Sequence, residues 1–190
     1  MAEHALKEWA VTIEALCRGH QVMIVRKGGI GEKRFTLPHP RFYLFPGYLH
    51  QRPDLVAERW RPVFDGTLAR REDPEMIPLT AYAELHSSHP ISDPGALALL
   101  GPEHILTDDY AAERLRWRRK HPLWAVVLRV WRVEEPPVLA TGPEHGGCVS
   151  WVDLPDSIRA PRALVPALPD DDFAAAAERI ESILATGAAH

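Results

Sequence analysis

The sequence predicts a single α+β domain in which a mixed β-sheet is flanked by an N-terminal and a C-terminal helix. The chain has 190 residues, the usual size of one domain. Its composition, 46% hydrophobic and 25% charged, is typical of globular proteins. Short apolar runs lie between amphipathic segments near both ends, a pattern that favours helices packed on a sheet. We expect a core over residues 1–154, a proline-rich connection over 155–169 and a helix over 170–187 that packs on the core.

The first third of the chain is predicted to form a helix followed by short strands. Apolar residues recur at helical spacing over residues 3–18, and Gly19 can close that helix in a left-handed conformation. Proline at position 53 can open a second helix that continues to about residue 64. Between these two helices, apolar runs that end at glycine or proline predict strands at 21–25, 35–37 and 41–45.

The remainder is predicted to alternate strands with two helices. Thr107 and Asp108 are suitable N-cap residues for a helix. Three successive aspartates from Asp170 complement the dipole of the last helix, and Gly187 can end it. Residues 123–133 are apolar on both alternating faces, which indicates a central strand. Shorter strands are expected at 77–86 and 148–152.

Several protein classes are disfavoured by the sequence. Its apolar stretches are shorter than the roughly 18 residues needed to cross a bilayer, and its first residues lack the features of a signal peptide. We therefore expect a cytoplasmic protein without a membrane partner. Cys17 and Cys148 are too few to stabilise the domain through disulfides and are expected to be reduced thiols. The sequence indicates no oligomeric state.

The net charge of −4 conceals two basic stretches. Residues 18–41 contain six basic residues and one acid, and residues 114–132 contain seven basic residues and no acid. If both stretches lie on one side of the sheet, they create a focused positive potential suited to phosphate. The alternative is that both are solvated faces, neutralised by the acidic remainder.

These stretches contain the residues expected to bind a phosphate-bearing ligand, either nucleic acid or a nucleotide. Arginine and lysine would contact phosphate, the glycines would admit its approach to backbone amides, and Trp117 would stack on a base or instead lie in the core. His50 and Gln51 precede a predicted helix N-terminus, where anions are favoured. The candidate ligand-binding residues are Arg26, Lys27, Gly28, Gly29, His50, Gln51, Arg114, Trp117, Arg118 and Arg119.

A metal-dependent phosphodiesterase is the enzymatic alternative, and a protein-interaction module without a small ligand is the third. The predicted element order is similar to a nuclease core, but no lysine follows an acid by two positions as that motif requires. Glu32 and His50 are weak catalytic candidates. A displaced centre would use Glu8 or Glu14 together with Glu32 and Lys27. Only this alternative needs a cofactor, Mg²⁺.

Other arrangements for catalysis or metal binding are weaker still. The layout is also similar to a Nudix hydrolase, but Pro53 and Pro62 occupy positions where that family has metal-binding acids. Glu84, His86 and His89 have only a loose metal-ligand spacing. Cys148 would need a neighbouring imidazole to act as a nucleophile.

Seven sequence blocks together resemble a prokaryotic family, the domain of unknown function 1802 (DUF1802). The resemblance assigns no role to any residue, but it directs attention to Arg26, Lys27, Gly28, Gly29, Glu32, His50, Gln51, Arg114, Trp117 and Arg129. Gly47 stands where the family pattern tends to have threonine. The blocks are Ala5–Trp9, Val25–Ile30 with Glu32, Phe42–Pro46 with His50 and Gln51, His104–Ile105 with Thr107, Arg114–Trp117, Pro122–Leu123 with Leu128–Val130, and Gly147–Trp151.

Overall fold

The protein has the predicted α+β fold class, with a mixed sheet and five α-helices in the part of the chain that is described. This computed structural model describes residues 3–27, 36–48, 51–69, 73, 75–91, 93–116, 123–145 and 149–187. The strands are β1 His4–Trp9, β2 Met23–Arg26, β3 Arg41–Gly47, β4 Met76–Pro78, β5 Ala81–Ile91, β6 Leu123–Val133, β7 Val138–Ala140, β8 Trp151–Asp153 and β9 Leu164–Pro166. The helices are α1 Ala10–Cys17, α2 Arg61–Ala69, α3 Pro94–Leu99, α4 Asp108–Arg116 and α5 Asp170–Gly187.

Seven strands form the main sheet, in the order β2-β6-β5-β3-β1-β8, and β9 also pairs with β6. Strands β1 and β3 are parallel, and the other pairs are antiparallel. Strand β6 pairs with β5 along nearly its whole length, while β2 and β9 pair with different parts of it. The remaining strands, β4 and β7, form a separate two-stranded ribbon.

The main sheet curves so strongly that distant strands share one core. Leu6 of β1 and Ile24 of β2 belong to the same buried cluster, although three strands lie between β1 and β2 in the sheet order. The side chain of Arg26, at the end of β2, reaches the backbone of β1 directly. The curvature therefore brings the end of β2 close to β1.

Helices cover the sheet on two sides. Phe173, Ala177 and Ile180 of α5 pack with residues of α3, β2 and β6. A second apolar cluster joins α1, α2 and α4, and it includes Val11, Trp60 and Tyr110. Strand β6 and helix α5 begin and end at the residues predicted for them.

The predicted N-terminal helix over residues 3–18 is wrong in its first half, because residues 4–9 form β1 and only residues 10–17 are helical. Pairing with β3 and β8 buries Ala5 and Leu6 completely. These long-range contacts outweigh the local helical spacing.

Four other segments differ from the sequence prediction. The strand predicted at 77–86 is divided between β4 and β5, which belong to separate sheets. In the segment predicted as a strand at 35–37, residues 36 and 37 are not in a strand and residue 35 lies outside the described residues. Residues 53–60 form two short 3-10 turns before α2. The segment 155–169 contains β9, which adds to the main sheet.

Candidate functional site

The candidate site lies where β1 passes into α1, opposite the end of β2. We call Glu8, Arg26, Gln51 and Ser150 the junction site, because their side chains surround this passage at Trp9. The ladder between β1 and β8 ends at the pair Leu6 and Trp151. Beyond that pair, the side chain of Arg26 supplies hydrogen-bond donors to β1.

Arg26 joins three parts of the chain through its guanidinium group. Its Nη1 donates to the carbonyl oxygen of Lys7 at 2.9 Å and lies 3.3 Å from Oε2 of Glu8. Its Nη2 donates to the hydroxyl oxygen of Ser150 at 2.9 Å. The side chains of Arg26 and Glu8 are only 17% and 10% exposed. This pair fixes the position at which the chain leaves β2.

Glu8 is also bonded to the start of α1. Its Oε1 accepts a hydrogen bond from the backbone N–H of Trp9 at 2.7 Å. A side chain at Gly47 would bring a Cβ atom to 3.3 Å from the carbonyl oxygen of Glu8. Glycine at this position therefore lets β3 end close to the junction.

Gln51 caps the first turn of α1. Its Oε1 accepts a hydrogen bond from the N–H of Val11 at 3.2 Å. Its Nε2 is buried and has no hydrogen-bond partner in the described part of the chain. A buried amide donor without an acceptor costs stability unless a ligand or water satisfies it. Gln51 therefore has a donor available beside the positive end of the α1 dipole.

Two lysines adjoin the junction site in the sequence. Lys27 follows Arg26 and is only 6% exposed. Lys7 precedes Glu8, and strand alternation directs its side chain to the other face of β1. There its Nζ donates to the carbonyl oxygen of His145 and lies 5.7 Å from the ring centroid of Phe45. The Lys7 ammonium therefore supports the sheet from the opposite side.

Each of the two basic stretches of the sequence contains one of two neighbouring strand ends, the end of β2 and the start of β6. Arg26, the last residue of β2, is paired with Trp124, the second residue of β6. The chain that continues from Lys27 and the chain that leads into β6 therefore meet the sheet at the same end. Helix α4, which contains Arg114, also approaches the junction site, because the rings of Tyr110 and Trp9 are 5.2 Å apart.

Of the candidate ligand-binding residues, the structure brings Arg26, Lys27 and Gln51 to this region. Arg114 lies on α4. Glu32 lies outside the described residues, as do the other ligand-binding candidates, Gly28, Gly29, His50, Trp117, Arg118 and Arg119.

Sequence reasoning missed the role of Ser150 and assigned Glu8 only to a possible displaced nuclease centre. Glu8 lies within the block Ala5–Trp9 of the family resemblance, and Ser150 within the block Gly147–Trp151. These blocks were the signal in the sequence that could have pointed to both residues. Their contact with Arg26 joins residues 18 and 124 positions apart. Local periodicity contains no information about such a contact.

The displaced nuclease centre receives no support from the acids that are described. Glu8 is paired with Arg26, and Glu14 with Arg18 at 2.6 Å. Within the described ranges, no group of three histidine, cysteine or acidic side chains is arranged to hold a metal ion.

The remaining candidates have other partners. Glu84 pairs with Arg41, on the neighbouring strand. His86 and His89 face Glu181 of α5, with Nε2 to Oε1 separations of 3.7 and 3.8 Å.

Arg129 and Cys17 have structural surroundings. The guanidinium of Arg129 bonds to Asp170 at 2.5 Å and lies over the rings of Trp131 and Phe173. It therefore helps to dock α5 on β6. Burial and the nearby Glu14 raise the pKa of Cys17 to about 12, so this thiol is protonated at neutral pH. Cys148 lies outside the described residues.

Comparison with protein families decides the affiliation. The family described as a domain of unknown function (DUF1802) matches residues 5–179. The chain belongs to the DUF1802 family. All four residues of the junction site fall within the matched part of this DUF1802 protein. No curated protein matches the chain.

Solved structures similar to the DUF1802 protein include ASCH from Zymomonas mobilis, with a TM-score of 0.48 and 13% identity over 82% of this chain and 89% of that chain. Two mutant structures of the Zymomonas protein give TM-scores of 0.46 and 0.43 at 13% and 15% identity. Each covers 81% of this chain, with 89% and 91% of the respective mutant chain. Similarity at this level contains no information about ligand or activity. None of the described helices of the DUF1802 protein has the length and apolar character needed to cross a membrane.

Proposed function

We propose that this DUF1802 protein binds nucleic acid through its phosphates, on a surface that starts at the junction site and continues over residues 28–34 and 114–120. The observation that supports the proposal is the pairing of Arg26 with Trp124. It makes residue 26 of the first basic stretch and residue 124 of the second neighbours at one end of the sheet. Cationic side chains gathered around one surface attract polyanions.

The residues of this surface have different roles in the proposal. Arg114, Arg118 and Arg119 contact phosphate, and Gly28 and Gly29 admit its approach to the backbone. Lys27 is only 6% exposed and supports the start of this segment. Arg26 is neutralised by Glu8, so it mainly holds the base of the 28–34 segment in place.

Aromatic and amide side chains complete the surface. Trp117 stacks on a base, an interaction that any of the bases can make. His50 and the buried Nε2 of Gln51 donate to a phosphate near the N-terminus of α1.

Binding of fluorescein-labelled single-stranded RNA and DNA, measured by fluorescence anisotropy over a range of salt, tests the proposal. With about three phosphate contacts on a single strand, affinity should fall on the order of 20-fold between about 50 and 200 mM NaCl. The combined variant Arg118→Ala and Arg119→Ala should reduce the slope of log affinity against log salt by about 1.4. Unlabelled nucleotide monophosphate should compete only weakly.

Two further variants separate the site from general charge effects. Gln51→Glu keeps an oxygen that can cap Val11 but replaces the donor by a negative charge, so we expect binding to weaken at least fivefold. Arg162→Ala removes an exposed arginine near β9, which pairs with the opposite end of β6 from Trp124, and should leave affinity unchanged. Salt-independent binding, or equal losses in the Arg162 and Arg118/Arg119 variants, would contradict the proposal.

A further inference from the structure

The ribbon formed by β4 and β7 has one face that is entirely apolar and exposed. Its register pairs Met76 with Ala140 and Pro78 with Val138, and paired residues share a face of the ribbon. All four are exposed. Met76 is 45% and Val138 50% exposed, two of the five large apolar side chains identified as exposed in the described residues.

The other face of the ribbon anchors it to the protein. Ile77 and Leu139 are paired with each other and are 4% and 2% exposed. Both belong to the apolar cluster that includes Tyr43, Tyr82 and Val152. The backbone N–H of Leu79 also donates to the carbonyl oxygen of Pro137 at 2.9 Å. The outer face therefore belongs to a ribbon whose inner face is packed on the rest of the protein.

Acidic residues lie at both ends of the ribbon. Asp73 and Glu75 precede β4, while Glu134 and Glu135 precede β7, and all four are exposed. The N–H of Glu75 donates to Oδ1 of Asp73 at 2.8 Å, and the carbonyl oxygen of Glu75 accepts from the N–H of Thr141 at 2.7 Å. The segments 73–81 and 134–142 contain no lysine or arginine. The apolar face thus has an acidic rim.

From this arrangement we infer that the outer face of the β4–β7 ribbon docks another protein through a segment whose apolar side chains are flanked by lysine or arginine. The apolar face supplies area to bury, and the flexible side chain of Met76 can adapt to the shape of a partner. The acidic rim attracts cationic flanks and repels nucleic acid and anionic lipid. None of the ribbon residues belongs to the junction site.

Synthetic peptides and methyl NMR of the full chain provide the test. The probe is a short peptide with lysines at both ends and leucine and valine between them, and its matched control has glutamates at the ends. The ¹³C-methyl signal of Met76 should shift with the lysine peptide, while that of the fully buried Met23 should stay in place. The glutamate peptide should bind at least tenfold more weakly.

Variants of the ribbon make the assignment specific. The double variant Met76→Gln and Val138→Thr should weaken binding of the lysine peptide at least tenfold, and Glu134→Gln with Glu135→Gln should reduce its salt dependence. Leu99→Gln alters another exposed apolar residue, 56% exposed on α3, and should have no effect.

Three outcomes would overturn the inference. They are a Met76 methyl signal that does not respond to the lysine peptide, equal binding of the two peptides, and sedimentation showing a dimer that the Met76 and Val138 variant dissolves. The last result would assign the ribbon to a second copy of this chain.

Discussion

Arg26 contacts residues of the junction site that are far from it in the sequence. Its partners Lys7, Glu8 and Ser150 are 19, 18 and 124 positions away. The sequence predicted a basic stretch over residues 18–41 that includes Arg26, because charge composition is a local property. It did not predict the acid that neutralises Arg26, because that pairing depends on the curvature of the whole sheet.

Breaking the Arg26–Glu8 pair should destabilise the protein strongly. Arg26→Met leaves the carboxylate of Glu8 largely buried without this cation, and the free energy of unfolding should fall by roughly 2–3 kcal/mol, somewhat less than for a fully buried pair. Glu8→Leu should also be destabilising. The double variant should lose less than the sum of the two single losses, by about 1–3 kcal/mol.

Urea unfolding followed by tryptophan fluorescence measures these free energies. Strictly additive losses would show that the pair contributes no coupling energy.

At the scale of elements, the end of α1 was predictable and its beginning was not. The N–H groups of Gly19 and His20 donate to the carbonyl oxygens of Leu16 and Ala15, each at 3.0 Å, and Gly19 has φ of 68°. This C-cap depends on residues that are close in sequence, so glycine indicated it correctly. Strand β1 depends on pairing with β3 and β8, which periodicity in residues 3–18 does not reveal.

Replacement of Gly19 by alanine should weaken the attachment of α1 to the rest of the fold. The left-handed conformation costs a residue with a Cβ atom about 1–2 kcal/mol. The added atom would also lie 2.6 Å from Cδ2 of Leu168 and 2.8 Å from the carbonyl oxygen of Ala167. We expect Gly19→Ala to lower the free energy of unfolding by more than about 2 kcal/mol.

Gly66→Ala is the matched control for this variant. Gly66 lies within α2, and a Cβ atom there would meet nothing within 4 Å. Alanine should therefore stabilise the helix by about 0.5–1 kcal/mol. Thermal unfolding followed by circular dichroism compares the two variants, and equal shifts in Tm would refute the conformational explanation.

At the scale of the whole molecule, the class of fold followed from the alternation of apolar runs and amphipathic helices. The strong apolar pattern of residues 123–133 and the capped pattern of 170–187 gave correct boundaries for β6 and α5. Strands β7 and β9 have three residues each. Such segments are too short to show a period, so they could be found only from their pairing.

The protein should lose stability in alkaline solution. Burial, followed by the nearby charge of Glu3, raises the pKa of both Tyr43 and Tyr82 from 10.0 to about 12, and Cys17 is raised from 9.0 to about 12. The unfolded chain therefore releases these protons at lower pH than the folded chain. Stability should be unaffected by these groups below about pH 9 and should decline progressively from there to about pH 12.

Chemical unfolding at a series of pH values checks this decline. Tyr43→Phe combined with Tyr82→Phe removes two of the titrating groups, so its stability should depend less steeply on pH above about pH 10. If the stability of this variant falls with pH as steeply as that of the unaltered protein, residues other than Tyr43 and Tyr82 cause the loss of stability.

The position of β1 inside the sheet affects how the nascent chain can fold. His4 is paired with Asp153, 149 positions later, while the other edge of β1 pairs with β3. During synthesis on the ribosome, β1 can therefore pair with β3 long before β8 emerges. Until β8 emerges, the edge of β1 that pairs with β8 remains unpaired. A chaperone that binds exposed strand edges would be needed most during this interval.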